Sequence, residues 1–157
     1  MAQGLTYAAS FDAVAVSAQS DLFEITAPSD AAVIVHSLYV GQTSDMGDAQ
    51  AEALKIQLIR GYATSGAGGT APTPTPLQGG FPASGSVVEA NNTTLASTGT
   101  PAVVHQDVWN IQLPYQYRPT PEERIVLSPA QRLVVRLAAP ADAITASGTL
   151  LFEELGG

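Results

Sequence analysis

The chain is 157 residues long, with 14 glycines, 11 prolines and charged side chains at only 13% of positions. Long amphipathic helices need a charged outer face that this composition does not supply, so the class it indicates is all-β, and the length suits one well-buried domain spanning 1–157. A net charge of −8 and a pI near 4.4 argue against direct contact with nucleic acid or an anionic membrane, and the lack of cysteine excludes a disulfide framework and thiolate chemistry.

Residues 1–20 read as an N-terminal arm; they carry neither the basic run nor the long apolar stretch of a secretion signal, and no apolar run reaches the ~20 residues of a membrane helix. Phe11–Ser17 and Leu22–Thr26 are short strand candidates, small and polar enough to be outer strands. Ala32–Gln42 is richer in β-branched residues and has the pattern of a central strand, with Ile34, Leu38 and Val40 on one face and Val33, Val35 and Tyr39 on the other. Thr43–Ala53 breaks the alternation and has helix-start chemistry, Ser44 or Asp45 as cap and Asp48 or Glu52 in the first turns, so a short helix or turn is expected. Alternation resumes over Leu54–Tyr62, where Leu54, Ile56 and Leu58 oppose Lys55 and Gln57.

From Gly61 to Pro101 the composition turns to Gly, Ser and Thr-Pro, the pattern of a long loop or arm, with Val87-Val88 and Thr93–Ala96 as patches able to pair as short strands. Such a stretch buries little apolar surface of its own, and contact with a neighbouring subunit would order it. Val103–Leu113 returns to a strand pattern with Trp109, Ile111 and Leu113 on one face. Three further strands follow, Arg124–Leu127, Gln131–Ala138 and Ser147–Glu153, cut apart by proline turns. In the second, Leu133, Val135 and Leu137 alternate with Arg132 and Arg136; in the third, apolar bulk on both faces implies cover on each side. About eight strands with irregular connections fit a two-sheet jelly roll better than an up-and-down barrel.

Candidate chemistry is sparse. His36 and His105 are the only histidines, each inside an apolar strand, so neither a cupin-type metal cluster nor a Ser-His-Asp arrangement is supplied, and no G-x-S-x-G elbow occurs. Asp45, Asp48 and Glu52 form a local acidic cluster whose spacing is not that of a calcium loop; it reads as capping and solvation. The adjacent pairs Glu122-Glu123 and Glu153-Glu154 point to opposite faces when extended, which suits solvated strand ends rather than an acid/base pair. Tyr115 and Tyr117 share a face and read as packing residues, with sugar stacking as the alternative. Asn91-Asn92-Thr93-Thr94 carries the glycosylation pattern but reads as loop. No catalytic, cofactor-binding or metal-ligating residue is assigned.

Five blocks carry a resemblance: FEITAPSDAAVIVHSLYVGQTSDMGDAQAEAL from Phe23, RGYATSGAGGTAPTPTPL from Arg60, VEANNTT from Val88, and near the end PTPEERIVLSPAQRLVVRL and ASGTLLFEE. In these the chain resembles the small single jelly-roll head decoration, or cement, proteins of tailed bacteriophages, while Met1–Leu22 match less well. The resemblance implies a non-enzymatic virion protein without cofactor. It would be assembled in the host cytoplasm, self-associate as a homotrimer and bind the major capsid protein on the outer surface of the finished head, bridging capsomers against internal pressure. The alternative from another class is a glycan-binding jelly roll used in host attachment.

Overall fold

The computed structural model describes residues 4–43 and 52–156. Eleven strands follow in order: β1 (Leu5–Val16), β2 (Ser20–Thr26), β3 (Ala31–Gln42), β4 (Ala53–Thr64), β5 (Thr75–Pro76), β6 (Val87–Asn92), β7 (Ser97–Asn110), β8 (Tyr115–Tyr117), β9 (Val126–Leu127), β10 (Arg132–Leu137) and β11 (Ile144–Gly156), with one 3-10 turn at Pro121–Glu123. One sheet runs β5-β1-β11-β3-β8, with β9 also on β3; the other runs β6-β2-β10-β4-β7. Without the additional strands β5, β6 and β9, the orders 1-11-3-8 and 2-10-4-7 are those of a jelly roll, in which the chain crosses repeatedly between two antiparallel sheets. The all-β jelly-roll reading holds, and the Gly/Pro/Thr-rich excursion is the β4–β7 connection.

The core lies between the sheets. Trp109, Leu133, Val135, Leu150 and Phe152 are all buried there, as their alternation predicts. Tyr7 stacks on Phe152 at 5.6 Å within the first sheet, and Phe11 meets Phe23 of the other sheet at 5.0 Å.

Several sequence expectations need correction. Residues 1–20 are not an arm where they are described: β1 pairs with β11 from Leu5↔Glu154 to Val16↔Ile144 and buries Tyr7, Ala9 and Phe11. Nor is β2 an outer strand; it lies between β6 and β10, and every residue from Ser20 to Ile25 is buried. In β3 a bulge at His36 changes the faces. Leu151 pairs with Ser37 but Phe152 with Val35, so Val33 and Val35 share the core with Leu38 and Val40 while Ile34 turns outward. The strand expected over Arg124–Leu127 shortens to β9, and the outer side of β11 at Thr149 and Leu151 is half-exposed rather than covered. Leu113 is 61% exposed because the chain turns after Asn110, where the Leu113 amide donates to the Asn110 carbonyl. The helix or turn expected over Thr43–Ala53 falls largely on residues outside those described.

The excursion expected over 61–101 is not a free arm. β4 runs on to Thr64, β6 adds to β2, and the first turns of β7 pair back on β4 through Tyr62↔Gly99 and Thr64↔Ser97. Between them β5 adds to β1 through Tyr7↔Pro76 and Ala8↔Thr75. Glycines permit close approach: at Gly61 (φ +93°) and Gly99 (φ +79°) a side chain would strike the backbone of the paired strand.

Candidate functional site

The outer face of the second sheet carries the densest polar arrangement. Arg136 grips Asp21 through Nε at 2.7 Å, and Arg132 Nε lies 2.6 Å from Glu24, with both carboxylates buried. The excursion closes over them. Ser65 Oγ and the Gly66 amide donate to Glu24, the Ala96 amide donates to Asp21, and Arg136 donates to the Ala96 carbonyl and to the Tyr62 hydroxyl, whose ring it covers at 4.9 Å. Asn92 Nδ2 donates to Glu89 at 2.9 Å, which makes Asn91–Thr94 part of this cover rather than plain loop. The sequence exposes Arg132 and Arg136 as one polar face but hides their partners. Asp21 and Glu24 are three apart, hence on opposite faces of a regular strand, and only the register shift between Val135 and Arg136 brings both beneath the arginines. The carboxylates of Asp21 and Glu24 are each held by an arginine and by donors of the excursion, so the arrangement clamps the excursion onto the sheet.

The remaining candidates do not converge. His36 lies on the outer side of the first sheet, 2.7 Å from Glu153, whose other oxygen accepts from the Gly4 amide. His105 is on the other sheet, its ring 4.6 Å from that of Tyr117 and its Nε2 4.0 Å from Asp107. Asp45 and Asp48 lie outside the described residues; Glu52 accepts from the amides of Ala141 and Asp142 and so ties down the turn before β11. Glu123 caps the 3-10 turn with Thr120. Glu153 and Glu154 do point apart, but Glu154 is not solvated. It is buried and accepts from Ser84, Gly85 and Ser86; burial alone would raise its carboxyl, and these hydrogen bonds outweigh burial and hold it below the ordinary value. Tyr115 and Tyr117 both pack inward; burial, with Asp107 and Tyr117 adding, pushes the Tyr115 phenol up to about 12, and its hydroxyl has no hydrogen-bond partner among the described residues. Among the described residues no three His, Cys, Asp or Glu side chains gather to hold a metal ion.

What the molecule does present is an edge. β7 closes the second sheet, pairs among the described residues with β4 alone, and is exposed over most of its 14 residues, including Val103, Val104 and Val108, with Leu113 just beyond. Its inner side holds Trp109 in the core, with the indole Nε1 donating to the Leu113 carbonyl at 2.7 Å. Beside it, between the β7 and β8 edges of the two sheets, runs a polar cleft of about 420 Å³ lined by His105, Asp107, Gln116, Tyr117, Arg118 and Glu123. A second, more apolar groove of about 510 Å³ lies across Phe11, Tyr39, Tyr115 and Gly148.

No family model matches the chain, and no curated protein matches it. Among solved structures, one chain of the T13 IBDV viral particle aligns at 12% identity and TM-score 0.23, over 99% of this chain and 40% of that one. This chain thus spans well under half the length of the chain it aligns with, and a likeness of that size carries no argument.

Sequence reading marks Val103–Leu113 as a buried-face strand and so misses that its other side and its backbone edge stay open. The signal is there in part: Val103, Val104 and Val108 stand among Gln106, Asp107 and Asn110, apolar residues on both sides of one strand with no lysine or arginine among them. No helix among the described residues is long and apolar enough to cross a membrane.

Proposed function

We propose that this chain is a virion structural protein that binds the outer surface of an assembled phage capsid and stabilises it by bridging capsomers, without chemistry and without a cofactor. One observation carries the reading: the buried charged groups Asp21, Glu24 and Glu154 are consumed in clamping the chain's own excursion, while exposed apolar side chains collect along β7. A stiff sandwich with an apolar rim suits shallow, repeated contact with a lattice of capsid subunits. The resemblance to decoration proteins adds the homotrimer, the major capsid protein as partner and assembly in the host cytoplasm. Multivalent attachment lets weak contacts sum, because each contact after the first is effectively intramolecular.

The test is a particle comparison. Heads assembled without the protein form but break at lower temperature or under milder osmotic shock, and adding the purified chain to such heads restores them. Heads equally robust without it overturn the reading. A second reading, a glycan-binding module for host attachment, is favoured by the polar cleft between β7 and β8, where Asp107, Gln116, Arg118 and Glu123 offer hydrogen bonds to sugar hydroxyls. Binding to a glycan array without binding to empty heads would select it.

A further inference from the structure

The sandwich has four edges, and three of them are covered or interrupted. On the first sheet β5 covers β1 only at Tyr7 and Ala8, the rest of β1 is broken by a bulge between Phe11 and Val14 with positive φ at Ala13, and β8 has only three residues. On the second sheet β6 is covered: the Ala90 amide donates to the Thr70 carbonyl at 2.7 Å and the Thr70 amide returns the bond at 2.9 Å. The fourth edge, β7, has no second pairing strand among the described residues. Its first half is blunted by Pro101, by positive φ at Thr98 and Gly99, and by register shifts opposite Ile59 and Tyr62. From His105 to Asn110 it is regular, paired residue for residue with β4 from Leu58 to Ala53.

Charge and side-chain pattern select the occupant of this edge. A chain with 14 acidic and six basic residues repels its own copy wherever carboxylates would face each other. β7 is the exception, since its only titratable side chains are His105 and Asp107. Two antiparallel copies that continue one sheet, related by a two-fold axis normal to it, set residues of like parity opposite each other, so the regular stretch allows four interior centres, Gln106 to Trp109. Centring on Asp107 faces carboxylate with carboxylate, centring on Val108 sets Asp107 against Trp109, and centring on Trp109 sets Asp107 against the buried Ile111. Centring on Gln106 sets His105 against Asp107 twice, imidazole facing carboxylate on one face, and brings Val104, at the bulge opposite Ile59, towards Val108 twice on the other. The imidazole is already steadied against Tyr117, and Gln106 is fixed by the 2.6 Å bond from Gln57.

We propose that β7 pairs antiparallel with β7 of a second copy of this chain, centred on Gln106, so that the second sheet continues across a two-fold axis. This goes beyond the capsid reading and does not depend on it. With the threefold association proposed above, the pairing links two oligomers; without it, the product is a dimer.

The lack of cysteine makes the register directly testable. Residues that exchange hydrogen bonds across an antiparallel pair have Cα atoms about 5.5 Å apart, within disulfide reach. Gln106→Cys is therefore expected to give a disulfide-linked pair under mild oxidation, while Val87→Cys, 58% exposed on the covered β6 edge, stays single at the same concentration. In sedimentation at a fixed concentration Val108→Lys halves the mass of the wild-type species with unchanged circular dichroism and Tm. Cross-linking of Gln106→Cys no faster than of Val87→Cys, or a wild-type mass that Val108→Lys does not lower, overturns the proposal. Loss of capsid binding with pairing intact would count against the proposed function alone.

Discussion

β6 and β7 bound the same five-stranded sheet and are treated in opposite ways. At the β6 side the backbone is bridged by Thr70, the face is roofed by residues 62–66 and 92–96, and two arginines neutralise two buried carboxylates beneath the roof. At the β7 side only Trp109 and its neighbours turn inward, and valines and backbone meet the surface. The contrast separates two uses of one sheet: the covered edge holds the excursion in place, and the open edge is left for association.

The comparison breaks most sharply at Asp21. Asp21→Ala strands Arg136 in a buried site and is expected to cost about 3–5 kcal/mol in urea unfolding, with faster amide exchange over 92–96. An effect below 1 kcal/mol, on the scale of exposed ion pairs, would mean that the roof does not depend on the pair. Gly69→Ala attacks the same edge from above. A side chain there collides with the Ala90 carbonyl and the Asn91 backbone, so Thr70 is expected to lift from β6 at a cost of about 1–3 kcal/mol, read as loss of protection at the Ala90 amide.

Glu154 pins the segment that leads into β6, and its effect depends on pH. Its folded carboxyl lies below the ordinary 4.5, so its stabilisation is complete above that value and is lost as pH falls through the lower folded one. Glu154→Gln is expected to lower stability at neutral pH by about 1–3 kcal/mol and to flatten the decline below pH 4.5, seen in denaturation series at several acid pH values. The smallest expected effect is at the other edge. Val108→Lys, at a residue 59% exposed, should shift unfolding stability by no more than about 0.5 kcal/mol, so a larger loss would show that β7 is also packed for stability.

By itself the sequence determined the class and the core. Alternation in Leu133, Val135 and Leu137, the Leu54-Ile56-Leu58 series and the lone Trp109 are local signals, because a strand buries every second side chain whatever it pairs with. Proline turns then divided the chain into about the right number of strands. Tertiary structure alone decided what the bulges decide: at His36 and at the β2–β10 shift one extra residue reverses the side-chain parity, moving Ile34 out of the core and placing Asp21 beside Arg136. It also decided the fate of 61–101. Composition gave that stretch no core of its own, yet β6 sends Val88 and Ala90 into the core, and the sequence did not show the buried carboxylates, far along the chain at Asp21, Glu24 and Glu154, whose acceptors hold it. Whether β7 ends a sheet is likewise a property of topology, since Val103, Val104 and Val108 mark a strand apolar on both sides but not which strands lie beside it.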